Sequence, residues 1–520
     1  MAQNGRPWST RAGIGDLQLS ARPGLPGQAL TALSQGGRLT GTPHLVHWLM
    51  SYDFSNNSYL GLTGPALGLT GPADYTAHTP FAIPLASRQL HLHCVGQSGA
   101  GKTTALKHLI IQDLQLGRGV TVLDPHGDLA RSLPDHIPRS RAHELVYLDP
   151  SDLARPIGFN PLSGIAADDQ PTAADNMVSS FVHVWGAVAV GDRSQEVLRN
   201  CLRALMATGT GSLVAIPRML QDGSYRARVL ARQGDPMVRA YWQRYEGLQE
   251  SFRQQVVAPL SNKLDALLTP GFRAMTGQVR STISLRRIMD EGRVLICDLS
   301  KGRIGEATSH ILGAMLTTAI AQAALSRADI PEEQRRAHFL YVDEFQAFAT
   351  DSFAMIQSEA RKYGLILTLS HQFIHQLPEV LKHSVLGTTG SVIAFRVGSE
   401  DAKLLAEHLW LDPVFTGALQ LEDGARRLTT LPNHQAYARI LIDGVPSGPH
   451  ALTLPPAPAP LHGRGRRFIE NSRQRFGRDR HKVEAKLGRF LAGDDRRSVN
   501  GAGSRPAKRR LPPRRTRPAS

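Results

Sequence analysis

Apolar and polar positions change period several times along the 520-residue chain, and the changes mark its elements. Residues 90–95, Leu-His-Leu-His-Cys-Val, alternate as a strand entering a sheet does, and residues 104–111 follow with helical apolar spacing that Gly117 stops. Short β-type apolar runs recur at 119–123, 145–148, 293–299, 338–342, 365–369, 391–395 and 437–442. They alternate with helical patterns, as expected for a parallel sheet joined by crossover helices. Between 166 and 284 the pattern is almost wholly helical, with amphipathic stretches at 195–206 and 252–268, and reads as an inserted all-helical subdomain. The expected organisation is a flexible leader (1–44), an N-terminal segment with the first part of the core (45–165), and the helical insertion (166–285). The second part of the core (286–454) and a proline linker with a basic tail (455–520) complete it. A direct repeat of seven residues at 60–73 reads as a loop or hairpin, since two copies do not make a solenoid.

The strand–helix pair at 90–111 brackets Gly96-Gln97-Ser98-Gly99-Ala100-Gly101-Lys102-Thr103, an unbroken G-x-x-x-x-G-K-[ST] loop. In that context the glycines let backbone N–H groups close around phosphates, and the helix N-terminus adds partial positive charge. Residues Gly96 to Thr104 are therefore the expected nucleotide-binding set. Lys102 would reach the β- and γ-phosphates, and the Thr103 hydroxyl would ligate Mg²⁺. The apolar run at 338–342 ends in Asp343-Glu344, as a buried parallel strand presents acids at its carboxyl end. Asp343 would hold Mg²⁺ through water, and Glu344 would orient and deprotonate the attacking water. ATP hydrolysis with ATP and Mg²⁺ as cofactors is the expected chemistry.

Composition narrows the picture. Only three cysteines occur, Cys94, Cys201 and Cys297, with no C-x-x-C pair, which speaks against a disulfide framework or a zinc site. His91, His93 and Cys94 fall on one short strand and read as structural. The first 40 residues are polar and lack a signal-peptide pattern, and the longest apolar candidate, 311–325, is interrupted by Thr317, Thr318 and Gln322. No integral membrane segment is expected, and a place in the cytoplasm or at the periphery of the inner membrane is. The net charge of +16 is concentrated: residues 461–520 hold nineteen Lys or Arg against five Asp or Glu. Such a segment is expected to be largely disordered, with a helix at 483–491. It would grip nucleic-acid phosphates, or alternatively solubilise the chain or meet an acidic protein.

An ordered set of segments resembles the FtsK/HerA-like pumping ATPases, closest to type IV secretion coupling proteins. These are the phosphate loop, Leu123-Asp124-Pro125-His126-Gly127-Asp128, Phe159-Asn160-Pro161-Leu162, Leu299-Ser300-Lys301-Gly302-Arg303, Asp343-Glu344-Phe345, Ala360-Arg361-Lys362-Tyr363-Gly364 and Ser370-His371-Gln372. The resemblance implies an α/β fold: a RecA-like P-loop NTPase core with an inserted all-helical subdomain and a disordered basic C-terminal tail. It implies a homo-hexameric ring, with ATP sites between subunits, that pumps DNA and serves a relaxase or type IV secretion channel. By the same resemblance Gln372 would bond the γ-phosphate or the water. Arg361 would act as an arginine finger on the neighbouring subunit's ATP, with Arg396 a rival for that role. Asp124 reads equally as a phosphate or metal sensor and as a turn-forming Asp-Pro. Two other functions stay open: a secretion ATPase moving protein cargo, and an ATP-gated DNA-binding adaptor without motor activity.

Overall fold

The computed structural model describes residues 57–63, 79–350, 353, 357, 359–410 and 418–493. Eleven strands among them form one sheet in the order β2-β1-β11-β10-β9-β3-β8-β7-β4-β6-β5. They are β1 (Asn57–Thr63), β2 (Thr79–Pro84), β3 (Leu92–Val95), β4 (Gly119–Asp124), β5 (Leu145–Leu148), β6 (Val294–Asp298), β7 (His338–Val342), β8 (Leu365–His371), β9 (Ser391–Ala394), β10 (Gln435–Ile442) and β11 (Val445–Thr453). The seven from β9 to β5 run parallel. β10, β11, β1 and β2 extend the sheet antiparallel. Every residue of β3 to β9 is buried, because helices cover both faces. That burial is why these strands read as near-continuous apolar runs.

Helix α1 (Lys102–Gln115) packs on one face, with Leu106, Leu109, Ile110 and Leu114 in a core shared with Val120, Ile296, Phe339 and Ile393. The opposite face carries the insertion: α2 (Gln170–Trp185), α3 (Asp192–Ala207), α4 (Ile216–Gln221), α5 (Gly223–Leu230), α6 (Pro236–Glu246), α7 (Glu250–Leu267) and α8 (Pro270–Thr276). Helix α9 (Glu306–Leu325) lies between them and the sheet. Phe181, Leu202 and Trp242 of the insertion belong to the same core as Leu123, Leu148 and Val342 of the sheet, so the inserted helices have no core separate from it. Residues 306–329 are the one stretch among those described that is long and apolar enough to cross a membrane, and two thirds of its apolar window is buried inside the fold. Helices α10 (Glu379–Thr388), α11 (Ser399–Leu409) and α12 (Ala418–Thr430) complete the core, with α11 and α12 packed beside β9 and β10.

The structure corrects the expected extent of tail disorder. Residues 465–491 form two helices, α13 (Gly465–Phe476) and α14 (Arg480–Leu491), and both are docked. Phe468 is buried in the α1-side core, and its ring meets His462 edge-on at 4.9 Å. Ser472 Oγ accepts the Tyr147 N–H of β5 at 2.8 Å, and Val483 is buried. Charge density hides an amphipathic stripe here: Phe468, Ile469, Phe476, Val483 and Phe490 pack the two basic helices against the core. The helix expected at 483–491 is present within α14. Residues 494–520 and the expected leader at 1–44 lie outside the described residues, as does the repeat at 60–73 beyond Thr63, where its first residues belong to β1.

Candidate nucleotide site

Four adjacent parallel strands end together and carry the chemistry. Val95 of β3 is level with His371 of β8, and Leu123 of β4 is level with Val342 of β7. The phosphate loop, Gln372, Asp343-Glu344 and Asp124 therefore converge at the carboxyl edge, where open parallel sheets bind ligands. The loop turns through left-handed glycines, Gly99 at φ 74° and Gly101 at φ 122°, and Gly101 caps α1. Its entry is clamped: Gly96 N donates to His371 O at 3.2 Å, and Gln97 N to Arg396 O at 2.7 Å. Ser98, Gly99 and Thr103 are exposed, while Gly96, Ala100 and Gly101 are buried, so the crest of the loop faces solvent and its base packs on the fold. Thr104 follows on the first turn of α1.

Lys102 is buried, donating to Gly96 O at 2.7 Å with its Nζ 3.9 Å from Glu344 Oε1. Burial lowers its pKa, and the carboxylates of Glu344 and Asp343 oppose the shift. Thr103 Oγ1 donates to Asp343 Oδ2 at 3.2 Å. Burial, with the nearby charges of Asp124 and Glu344, pushes the Asp343 carboxyl up to about 6. A buried acid raised by its own neighbours, beside a hydroxyl, is a hard oxygen donor set that suits Mg²⁺. Thr103 and Asp343 are the residues that would hold the ion, and its charge would offset that of the phosphate oxygens.

Glu344 has a left-handed backbone (φ 49°, ψ 51°), a strained state for a residue with a side chain. Gln372 Nε2 donates to its Oε1 at 2.9 Å, Gln346 Nε2 donates to its Oε2, and His126 Nε2 lies 4.0 Å from Oε1. The carboxylate is thus fixed beside the loop and available to polarise a water. Gln372 stands directly after β8, at the same strand end. Asp124 is buried and accepts the N–H groups of His126 and Ala130, both at 2.8 Å. Burial raises its pKa and those N–H donors pull it down. It acts as the buckle of its turn and, through charge, on Asp343.

The two arginine candidates part company. Arg361 is exposed on a turn before β8, at the far end of that seven-residue strand and about 20 Å from its own loop. Arg396 is half-buried beside its own loop, donating to Gln97 Oε1 and Leu431 O at 3.3 and 3.2 Å. Of the two, only Arg361 is exposed.

Sequence reasoning missed three neighbours of the loop. Phe395 lies against Gly96 and Gly101, His434 donates its N–H to Ala100 O at 2.8 Å, and His126 approaches Glu344. A signal existed only for His126, inside the Asp-Pro-His-Gly-Asp turn. His434, at φ 64°, carries no pattern that places it near a loop more than 330 residues earlier.

No curated protein sequence matches the chain. Among solved structures, unbound bacterial conjugative coupling protein TrwBdeltaN70 aligns with TM-score 0.53 at 16% identity, covering 72% of this chain and 87% of that one. Plasmid coupling protein TrwB in complex with ADP and Mg²⁺ aligns with TM-score 0.53 at 17% identity, covering 78% and 96%. TrwB with the GTP analogue GDPNP gives 0.54 at 17%, covering 73% and 89%. These likenesses establish a shared fold. The family described as type IV secretion-system coupling protein DNA-binding domain matches residues 76–409, well over half of the sequence, and the chain belongs to that family.

Proposed function

We propose that the chain is an ATP-driven motor of the conjugative coupling type, hydrolysing ATP between subunits of a homo-hexameric ring to pump DNA. The observation that carries the reading is the Glu344 carboxylate, strained, held by Gln372 and set beside the loop lysine. A protein that only binds nucleotide has no use for such a group. In the reaction Lys102 leaves the loop carbonyls for the β- and γ-phosphates, and Glu344 takes the proton of the attacking water. Gln372 orients the carboxylate and the water, and the neighbouring subunit's Arg361 stabilises charge on the transferring phosphoryl.

DNA as cargo is supported by membership of a DNA-binding-domain family and by the exposed basic side chains of α13, α14 and the turn between them, among them Arg466, Arg467, Arg475, Arg478, Lys482 and Lys486. The test is steady-state ATP hydrolysis with and without single- and double-stranded DNA, in the full chain and in Glu344→Gln. DNA should stimulate hydrolysis, and Glu344→Gln should lower kcat by about 10²–10⁴ while ATP still binds. Hydrolysis indifferent to DNA would point instead to protein cargo. Absence of hydrolysis in an assembled ring would point to an adaptor.

A further inference from the structure

A cavity of about 580 Å³ opens at the amino ends of β3 and β9, the sheet edge opposite the nucleotide site. Its volume falls within the range of small-ligand sites. Leu90, Val392 and Pro446 supply apolar wall, while His383, His408 and Arg439 supply the basic groups beside Thr389, and no Asp or Glu lines it. These three basic residues come from three elements, α10, α11 and β10, so the cluster belongs to the tertiary fold and to no single helix face.

Arg439 supplies the one guanidinium of the three. It is half-buried on β10 level with Val392 of β9, and its Nη1 donates to His408 O at 2.7 Å. No carboxylate pairs with it among the described residues, whereas the buried Arg88 and Arg226 each have an acid. Burial without an acid disfavours its charge and, together with Arg439 itself, that of His408. A desolvated cation beside two imidazoles, facing a cavity without acids, is completed by an anion. The fork of the guanidinium suits a tetrahedral oxyanion with several acceptor oxygens.

We propose that this pocket is a second phosphate-binding site, separate from the phosphate loop, in which Arg439, His383 and His408 hold a phosphate group. That group belongs either to a free small phosphate compound or to a nucleic-acid backbone. The site does not depend on the ATPase reading.

The test uses the full chain with the phosphate loop disabled by Lys102→Ala, titrated with inorganic pyrophosphate in a calorimeter. One saturable site per chain is expected, weakened at least tenfold by adding Arg439→Gln and severalfold by adding His383→Gln. His383 is exposed, so its substitution leaves the fold intact and keeps the test decisive if Arg439→Gln unfolds. Absence of saturable binding, or equal affinity in the His383→Gln protein, would overturn the site. A single-stranded twelve-nucleotide thymidine oligomer is then added to the pyrophosphate complex. Displacement assigns the site to a nucleic-acid phosphate, and retention assigns it to a free phosphate compound.

Discussion

The phosphate loop contains three glycines whose substitution by alanine should fail to different degrees, and the structure ranks them. A Cβ on Gly96 would stand 2.5 Å from Phe395 Cβ and 3.3 Å from Arg396 O. The first contact is about 1 Å inside the ordinary separation of two carbon atoms. Phe395 cannot yield, because the offending atom is the root of its side chain and its own N–H is bonded to Val95 O at 2.8 Å. The loop must therefore move by about 1 Å, a misplacement that costs on the order of 10²-fold in rate. Gly99 is different: nothing lies within 4 Å of its added Cβ, and only its left-handed φ of 74° resists. That cost is about 1–2 kcal/mol, roughly tenfold if all of it appears in binding. Gly101 combines φ 122° with contacts of 3.1 Å to Phe395 and 3.2 Å to His434, so Gly101→Ala should lose most. The assay is kcat/KM for ATP across the three variants, with thermal unfolding to confirm that each is folded. Wild-type kinetics in Gly96→Ala, or a larger loss in Gly99→Ala than in Gly96→Ala, would refute the steric argument.

Three further outcomes follow from packing and charge. Phe468→Ala removes the main anchor of α13 and should weaken its docking by about 3 kcal/mol, seen as roughly 100-fold faster amide exchange confined to residues 461–493; unchanged exchange would mean that the helix is held by its ion pairs instead. Arg88 is fully buried, bonded twice to Asp113 at 3.0 Å and once to Tyr341 Oη at 2.6 Å. Arg88→Met should destabilise the fold by about 3 kcal/mol in denaturant titration, since Asp113 keeps its burial and is left with Arg118 and Tyr341 as its partners. Burial holds His91 down at about 4 and both His93 and His338 at about 3. The unfolded chain protonates these rings below its ordinary value of about 6.5 and the folded chain does not, so their contribution is complete above pH 6.5 and is lost as pH falls toward 4. Each ring should cost on the order of 1–2 kcal/mol by pH 5, and His338→Gln should flatten that part of the stability–pH profile; an equal slope in the variant would show that the ring titrates in the folded state.

Much of this protein is written locally. The phosphate loop with its flanking strand and helix, seven parallel strands and the acid pair after β7 depend on periodicities and turn residues within a dozen positions. Those elements follow from the amino-acid order because their strands are buried on both faces and their loop requires glycine. Strand β11, Val-Pro-Ser-Gly-Pro-His-Ala-Leu-Thr, has two prolines and a glycine, and only pairing between β10 and β1 makes it a strand. Helix α13 reads as unstructured because charge dominates its composition, and only the end of α14 shows a helical pattern, yet a few apolar side chains dock both helices on the core. Above all, strand order decides the site. Thr103 meets Asp343, Gln372 meets Glu344 and Phe395 meets Gly96 because β9, β3, β8 and β7 are neighbours. That adjacency is set by long-range burial, which no local pattern encodes.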